Sequence, residues 1–327
     1  MTMRAARRPL RHRAPPAAAQ RGIALVLALW LTVLLTVIAS GFAFSMRSEA
    51  VAARNAISLA QVRDIADGAV ERTLYELSRP KMLDAWTPDG QVHRWVEDGA
   101  TVTVTAVDET AKIDLNVASE ALLKGLFMQV GGLDDPTAAR IVDATLDWRD
   151  ADDLKRPNGA EDADYRAASL KYGPANAPFE SVGEFSRVLG VTADLYARIA
   201  GSVTVFSRQA GINPLTASRD VLLALPAATP ETVDTFLQTR QDALAARLPV
   251  PLFPPAQAFG VGAVAVYRIR AEATLPDGVT FVREAVLRPV ADARRPLIAL
   301  AWQDGNRTAI PPTMTGATAS PDTTNAR

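Results

Sequence analysis

The stretch Ile23–Phe44, IALVLALWLTVLLTVIASGFAF, decides how the rest of the chain is read. It holds no charged residue, and at about 1.5 Å per residue it spans about 33 Å as a helix, enough to cross a bilayer core. A helix in a soluble core shows a polar stripe; here Thr32, Thr36 and Ser40 are the polar side chains, spaced four apart on one face. Upstream stand Arg4, Arg7, Arg8, Arg11, Arg13 and Arg21 with no acid. That asymmetry holds the N-terminus in the cytoplasm and places residues beyond about 47 across the membrane.

A secretory signal has a shorter apolar region closed by a small-residue cleavage site. In this chain an amphipathic pattern continues through the end of the apolar stretch. No proline interrupts Met46 to Leu77, and Ala66, Ala69, Val70, Leu74 and Leu77 recur at helical spacing, off the positions of Gln61, Arg63, Asp64, Asp67 and Glu71. Pro80 ends the pattern, so the spacing predicts one helix of about 55 residues, apolar first and amphipathic afterwards.

Composition removes most catalytic chemistry. The 327 residues include no cysteine and two histidines, His12 and His93, which excludes disulfides, thiolate nucleophiles and thiolate metal sites and leaves a triad or histidine metal site only His93. Lys and Arg number 35 against 36 Asp and Glu, a net charge of -1, which gives no bulk attraction for a polyanion.

The junction Gln20-Arg21-Gly22-Ile23-Ala24-Leu25 resembles the class III signal of type IV pilins and pseudopilins. The resemblance implies that prepilin peptidase cuts after Gly22 and methylates Ile23. The apolar helix then serves as anchor and later as filament core. Most members carry Glu at the fifth mature position, where this chain has Leu27. An unpaired carboxylate in lipid costs several kcal/mol, so its loss removes both a cost and a pairing device. Within the family that departure marks the minor pseudopilin called type II secretion protein K.

Residues 91–107 alternate apolar and polar about Asp98-Gly99, as a hairpin whose second strand is Thr101–Val107. Gly262–Thr274 and Val279–Val286 flank Pro276-Asp277-Gly278 as another hairpin, and Leu297–Trp302 is a last short strand. Between these ends lies helical sequence, as in an insertion into an α+β fold. The expected fold is α+β and type IV pilin-like: a long N-terminal helix packed on an antiparallel sheet, with a large inserted α-helical domain. The divisions are a cleaved leader 1–22, the helix 23–80 spanning the membrane at 23–44, and pilin-type strands 81–111. An inserted helical domain 112–200, a helix pair with C-terminal strands 201–303, and a disordered tail 304–327 follow. The chain also echoes itself. Lys112-Ile113-Asp114-Leu115-Asn116-Val117-Ala118-Ser119 matches Gly211-Ile212-Asn213-Pro214-Leu215-Thr216-Ala217-Ser218, each ending at a Ser able to cap an apolar helix. These helix pairs resemble helix-hairpin-helix modules.

The densest chemistry runs from Asp143 to Asp164, DATLDWRDADDLKRPNGAEDAD, where the acids Asp143, Asp147, Asp150, Asp152, Asp153, Glu161, Asp162 and Asp164 face Arg149, Lys155 and Arg156. Carboxylates packed this closely repel one another, so a neutralising cation favours a compact fold. Oxygen ligands without Cys or His suit Ca²⁺. The order of an EF-hand is missing. The Pro157-Asn158-Gly159 turn folds Glu161 and Asp162 back toward Asp150 and Asp153. Composition alone equally allows a solvated acidic loop.

Asp-Trp-Arg-Asp-Ala-Asp-Asp at 147–153, Gly-Ala-Glu-Asp at 159–162, Tyr165, Tyr172 and Pro178-Phe179-Glu180-Ser181-Val182 resemble the insertion of type II secretion protein K, a likeness spanning about residues 21–290. It implies calcium held by Asp147, Asp150, Asp152, Asp153, Glu161 and Asp162, with Asp143 and Asp164 as second choices. It also implies a non-enzymatic, single-pass inner-membrane subunit with a periplasmic C-terminal domain. Its partners would be minor pseudopilins I and J, prepilin peptidase and the inner-membrane assembly platform, at the tip of the pseudopilus of a Gram-negative bacterium. The rival is a membrane-anchored helix-hairpin-helix DNA-uptake protein. Against it, Leu133-Asp134-Asp135 puts carboxylates where phosphate would sit at the first hairpin, and Pro226-Ala227-Ala228-Thr229 at the second lacks glycine.

Overall fold

The computed structural model describes residues 20–79, 86–257, 264–290, 292 and 297–306; of the expected leader and tail, residues 1–19 and 307–327 lie outside the described residues. The first helix, α1, is Gln20–Ser78, 59 residues. The chain divides into two units, residues 1–58 and 59–327. In the first unit the described part is the apolar helix, whose large side chains, from Ile23 and Leu25 through Phe42 and Phe44, are exposed. It is long and apolar enough to cross a membrane.

In the second unit, α1 turns one stripe inward: Val62, Ile65, Ala66, Ala69, Val70 and Leu74 are buried. They pack on a five-stranded sheet in the order β1-β2-β5-β6-β7. The strands are β1 Asp89–Glu97, β2 Ala100–Asp108, β5 Tyr267–Thr274, β6 Thr280–Pro289 and β7 Leu297–Asp304. All neighbours are antiparallel, and Val102, Val104 and Ala106 pair with Ala273, Ala271 and Ile269 to form the helix-facing core. Arg283, only 3% exposed, fixes the helix to this face through Asp67 at 2.5 Å and also reaches Asp304 at 2.6 Å.

The neighbouring strands β2 and β5 lie far apart in sequence, and the chain between them forms a second core. Its elements are β3 Ile113–Asp114, α2 Glu120–Gln129, α3 Asp135–Arg149, α4 Asp162–Ala167, α5 Ala193–Ile199, β4 Val203–Thr204, α6 Arg219–Leu223, α7 Pro230–Ala246 and α8 Pro254–Gln257. One cluster runs from Ala111 to Ala256. The helix pair grouped by sequence with the C-terminal strands therefore packs in the insertion. The reason is close approach between α2 and α6, where a Cβ on Gly125 would run into the Ala224 carbonyl.

The joint between the cores is polar and buried. Glu109 is fully buried, and Lys112 Nζ and Arg268 Nε both reach its Oε1 at 2.7 Å. The Thr204 hydroxyl donates to its Oε2. Burial alone would raise this carboxyl, yet Lys112 and Arg268 bring it down to about 2. Beside it β3 and β4 pair in parallel.

Candidate functional site: the acidic segment of the insertion

The acidic segment follows a capped, well-anchored helix. Asp134 accepts from Thr137 N at 3.2 Å and Pro136 lies in the first turn, which starts α3. At the other end Arg149 donates to the carbonyls of Leu115 and, at 2.9 Å, Ala118. Trp148 stacks on Phe179 with ring centres 6.0 Å apart and tilts against Tyr165 at 6.0 Å. Phe179 is itself held by Asn116, through its N–H at 2.7 Å and its carbonyl at 3.0 Å. These contacts fold residues 150–181 back over the end of α3.

Asp147 is fully buried and accepts from Ala160 N at 2.9 Å and from Arg156 N at 3.3 Å. A Cβ on Gly159 would run into the Asp147 carboxylate, so glycine is required for this approach. Asp143 accepts from the backbone and side-chain nitrogens of Asn158, both at 3.0 Å. These bonds use up the Pro157-Asn158-Gly159 turn and carry Glu161 inward.

Glu161 is 7% exposed, and neither carboxylate oxygen has a hydrogen-bond partner. Burial, then Asp147, Asp150, Asp153 and Asp152, pushes its carboxyl up to about 7. Burial raises Asp147 as well, with Asp150 adding to it, and raises Asp150, with Asp152 adding. The fold thus gathers five carboxylates: Asp147, Asp150, Asp152, Asp153 and Glu161. Asp152 accepts from Leu154 N at 2.8 Å and Asp153 from Asn176 Nδ2 at 2.8 Å.

Asp162 is not among them. As the first residue of α4 it is exposed and accepts from Arg166 at 2.8 Å, an i,i+4 helix pair. Asp164 takes Lys155 Nζ at 2.6 Å and caps the Glu161 N–H at 3.0 Å. Sequence reasoning missed Asn176. It has a positive φ of 47°, and its Oδ1 is buried without a partner. A single loop asparagine carries no pattern that could have revealed it.

The donor set is oxygen throughout, the class that suits a hard divalent cation. Among the described residues, no group of three or more His, Cys, Asp or Glu side chains is arranged to hold a metal ion. Yet buried oxygens without partners are costly, and Asp150 Oδ1, both Glu161 oxygens and Asn176 Oδ1 are such atoms. His93, by contrast, stacks on Trp86 with ring centres 3.6 Å apart, partly buried at the sheet edge.

Fold and site together define a class: proteins with a pilin-type helix and sheet whose second and third sheet strands are separated by a helical domain bearing a carboxylate cluster. A family model for type II secretion system protein K matches residues 103–208. Type II secretion system protein K of Klebsiella pneumoniae is 30% identical over 229 residues, 63% of this chain and 69% of that protein. The putative protein K of Escherichia coli K12 is 27% identical over 207 residues, 57% of this chain and 62% of that protein, which is less than two thirds of its length. The crystal structure of the GspK-GspI-GspJ complex of enterotoxigenic Escherichia coli includes a chain of like fold. Its TM-score is 0.57 at 19% identity, over 80% of this chain and 99% of that one. The chain belongs to the type II secretion system protein K family.

Proposed function

We propose that the chain is a minor pseudopilin that assembles with pseudopilins I and J at the tip of the periplasmic pseudopilus and promotes export of folded proteins. In this reading the chain sits in the inner membrane with its N-terminus in the cytoplasm and its C-terminal domain in the periplasm, is cut after Gly22 by prepilin peptidase, is methylated on Ile23, and engages the inner-membrane assembly platform. The supporting observation is the placement of the insertion. It enters between the neighbouring strands β2 and β5 and forms its own core, separate from the cluster in which α1 packs on the sheet. A domain of this bulk on the head would clash with a subunit stacked above it, so it ends a filament. The complex of GspK with GspI and GspJ supports the choice of partners.

The acidic segment, on the same reading, binds Ca²⁺. Asp147, Asp150, Asp152, Asp153 and Glu161 would hold it, with Asn176 as a neutral oxygen donor, whereas Asp162 already pairs with Arg166. The ion supplies positive charge and a full set of oxygen partners. Its role is to hold the 150–181 loop. Co-expression with pseudopilins I and J tests the assembly. A complex containing all three, lost when the apolar helix is replaced or the loop is unfolded by chelator, is the expected result. Purification of the chain alone in every case would contradict it.

A further inference from the structure

Position 159 takes glycine because a Cβ there would run into the Asp147 carboxylate, and the residue before it is Asn158. That pair is the one Asn-Gly step in the sequence. Asn-Gly is a reactive setting for an asparagine side chain, because glycine has no Cβ to shield its N–H from the neighbouring amide carbon. The packing that demands glycine therefore puts a hydrolysis-prone asparagine in the acidic segment, and Asn158 is exposed to water there.

The fold restrains each group that such a reaction needs. The Gly159 N–H, the nucleophile, donates to the Arg156 carbonyl at 3.1 Å and closes the turn over Pro157 and Asn158. Asn158 Nδ2, the leaving group, donates to Asp143 Oδ2 at 3.0 Å, and so does Asn158 N. Ala160 N is held by Asp147 at 2.9 Å on the other side. Attack requires the Asn158 side chain to swing onto Gly159 N, which breaks the bonds to Asp143 and Arg156. We propose that Asn158 is a deamidation site gated by conformation, shielded while the acidic segment is closed and converted in chains whose segment has opened.

In the open segment Gly159 N gives its proton to hydroxide and bonds to Asn158 Cγ. The Cγ–Nδ2 bond breaks, and the nitrogen takes a proton from water and leaves as ammonia. Water then adds to one of the two carbonyls of the succinimide ring and cleaves its bond to Gly159 N, giving aspartate or isoaspartate. Either product locks the change in. A carboxylate now faces Asp143 where an amide donated, and isoaspartate also lengthens the backbone of the turn.

Peptide mapping by mass spectrometry on the full-length chain in detergent, held at mildly alkaline pH, tests this. Enzymatic methyl labelling counts the isoaspartate. Asn158 should convert at least about tenfold more slowly in the folded chain than in urea. Asp143→Ala removes the acceptor of both Asn158 nitrogens and should raise the folded-state rate several-fold. Asp135→Ala, an exposed carboxylate on the same helix that pairs with Lys124, should leave the rate unchanged. Asn158→Asp should melt below the parent, and Asn158→Ser, which adds no charge, closer to it. Should Asp143→Ala fail to fold, the ratio of folded to urea rates and the Asn158→Asp melt decide the matter. Equal rates in the folded chain and in urea would overturn the proposal. So would a folded Asp143→Ala that converts no faster than the parent, or an Asn158→Asp that melts with it.

Discussion

Arg149 and Arg240 make the same clasp on two copies of one motif. Arg149 donates to the carbonyls of Leu115 and Ala118, and Arg240 donates at 2.8 Å to those of Pro214 and Ala217, the matching positions of the echoed segments. The likeness extends to the turns. Asp114 accepts from Asn116 N at 2.9 Å and Asn213 from Leu215 N at 3.1 Å, then Ser119 and Ser218 cap α2 and α6. The insertion is thus two copies of a segment–helix–helix unit, packed where Gly125 meets Ala224. The acidic segment directly follows the second helix of the first copy.

Removing either arginine leaves two carbonyls without their donor. Arg149→Ala and Arg240→Ala should each lower stability by about 1–3 kcal/mol in urea titrations. Lysine should rescue Arg149 only in part, because there two nitrogens of the planar fork each reach one carbonyl, and should rescue Arg240 better, because there Nη1 alone reaches both. Arg149→Ala should in addition weaken calcium binding, because it loosens the end of α3. Equal calcium titrations for the two alanine variants would oppose that link.

Glu109 governs the joint between sheet and insertion. Its carboxyl is held at about 2, below its ordinary value of 4.5, so its contribution is complete above about pH 4.5 and is lost as pH falls toward 2. Glu109→Gln should destabilise by about 3–5 kcal/mol at pH 7, because Lys112 and Arg268 lose their partner. The difference from the parent should shrink at pH 2–3. Urea midpoints at the two pH values measure this.

Glu161 has the opposite sign. Its carboxyl is raised to about 7, so without a cation its charging opposes folding increasingly as pH rises from about 4.5 to about 7. In chelator the melting temperature should fall across that window, and calcium should flatten the fall. Glu161→Gln should stabilise the chelated protein at pH 8 and reduce its response to calcium. A parent melt identical with and without calcium at pH 8 would count against the ion.

Gly159 gives the backbone room beside Asp147. Gly159→Ala should lower the melting temperature by several degrees and weaken calcium binding, read by calorimetry. Gly278→Ala, at a hairpin turn with φ 87° and open space around it, serves as a comparison that strains the backbone without touching the cluster.

Long periodic elements were legible. An unbroken apolar run and the absence of proline give α1, and alternation about Asp98-Gly99 and Asp277-Gly278 gives the two hairpins. The parallel β3–β4 pair was not, since two-residue strands carry no period and their pairing is decided by the distant Glu109–Thr204 and Asp114–Ser207 bonds. Asp147, Asp150, Asp152 and Asp153 lie near enough to Glu161 to act on its charge. Asp162 departs because α4 starts on it and turns it toward Arg166. The reach of the insertion beyond residue 200 was hidden because a helix pair does not announce which core it joins.

The central claim is that a processed pseudopilin stem carries this head. Mass spectrometry of the N-terminus of the chain purified from its native membrane tests it most directly. The account predicts a polypeptide beginning with methylated Ile23, and a Gly22→Val variant that retains the arginine-bearing leader. A native chain that keeps its leader, or a variant cut as fast as the parent, would contradict it.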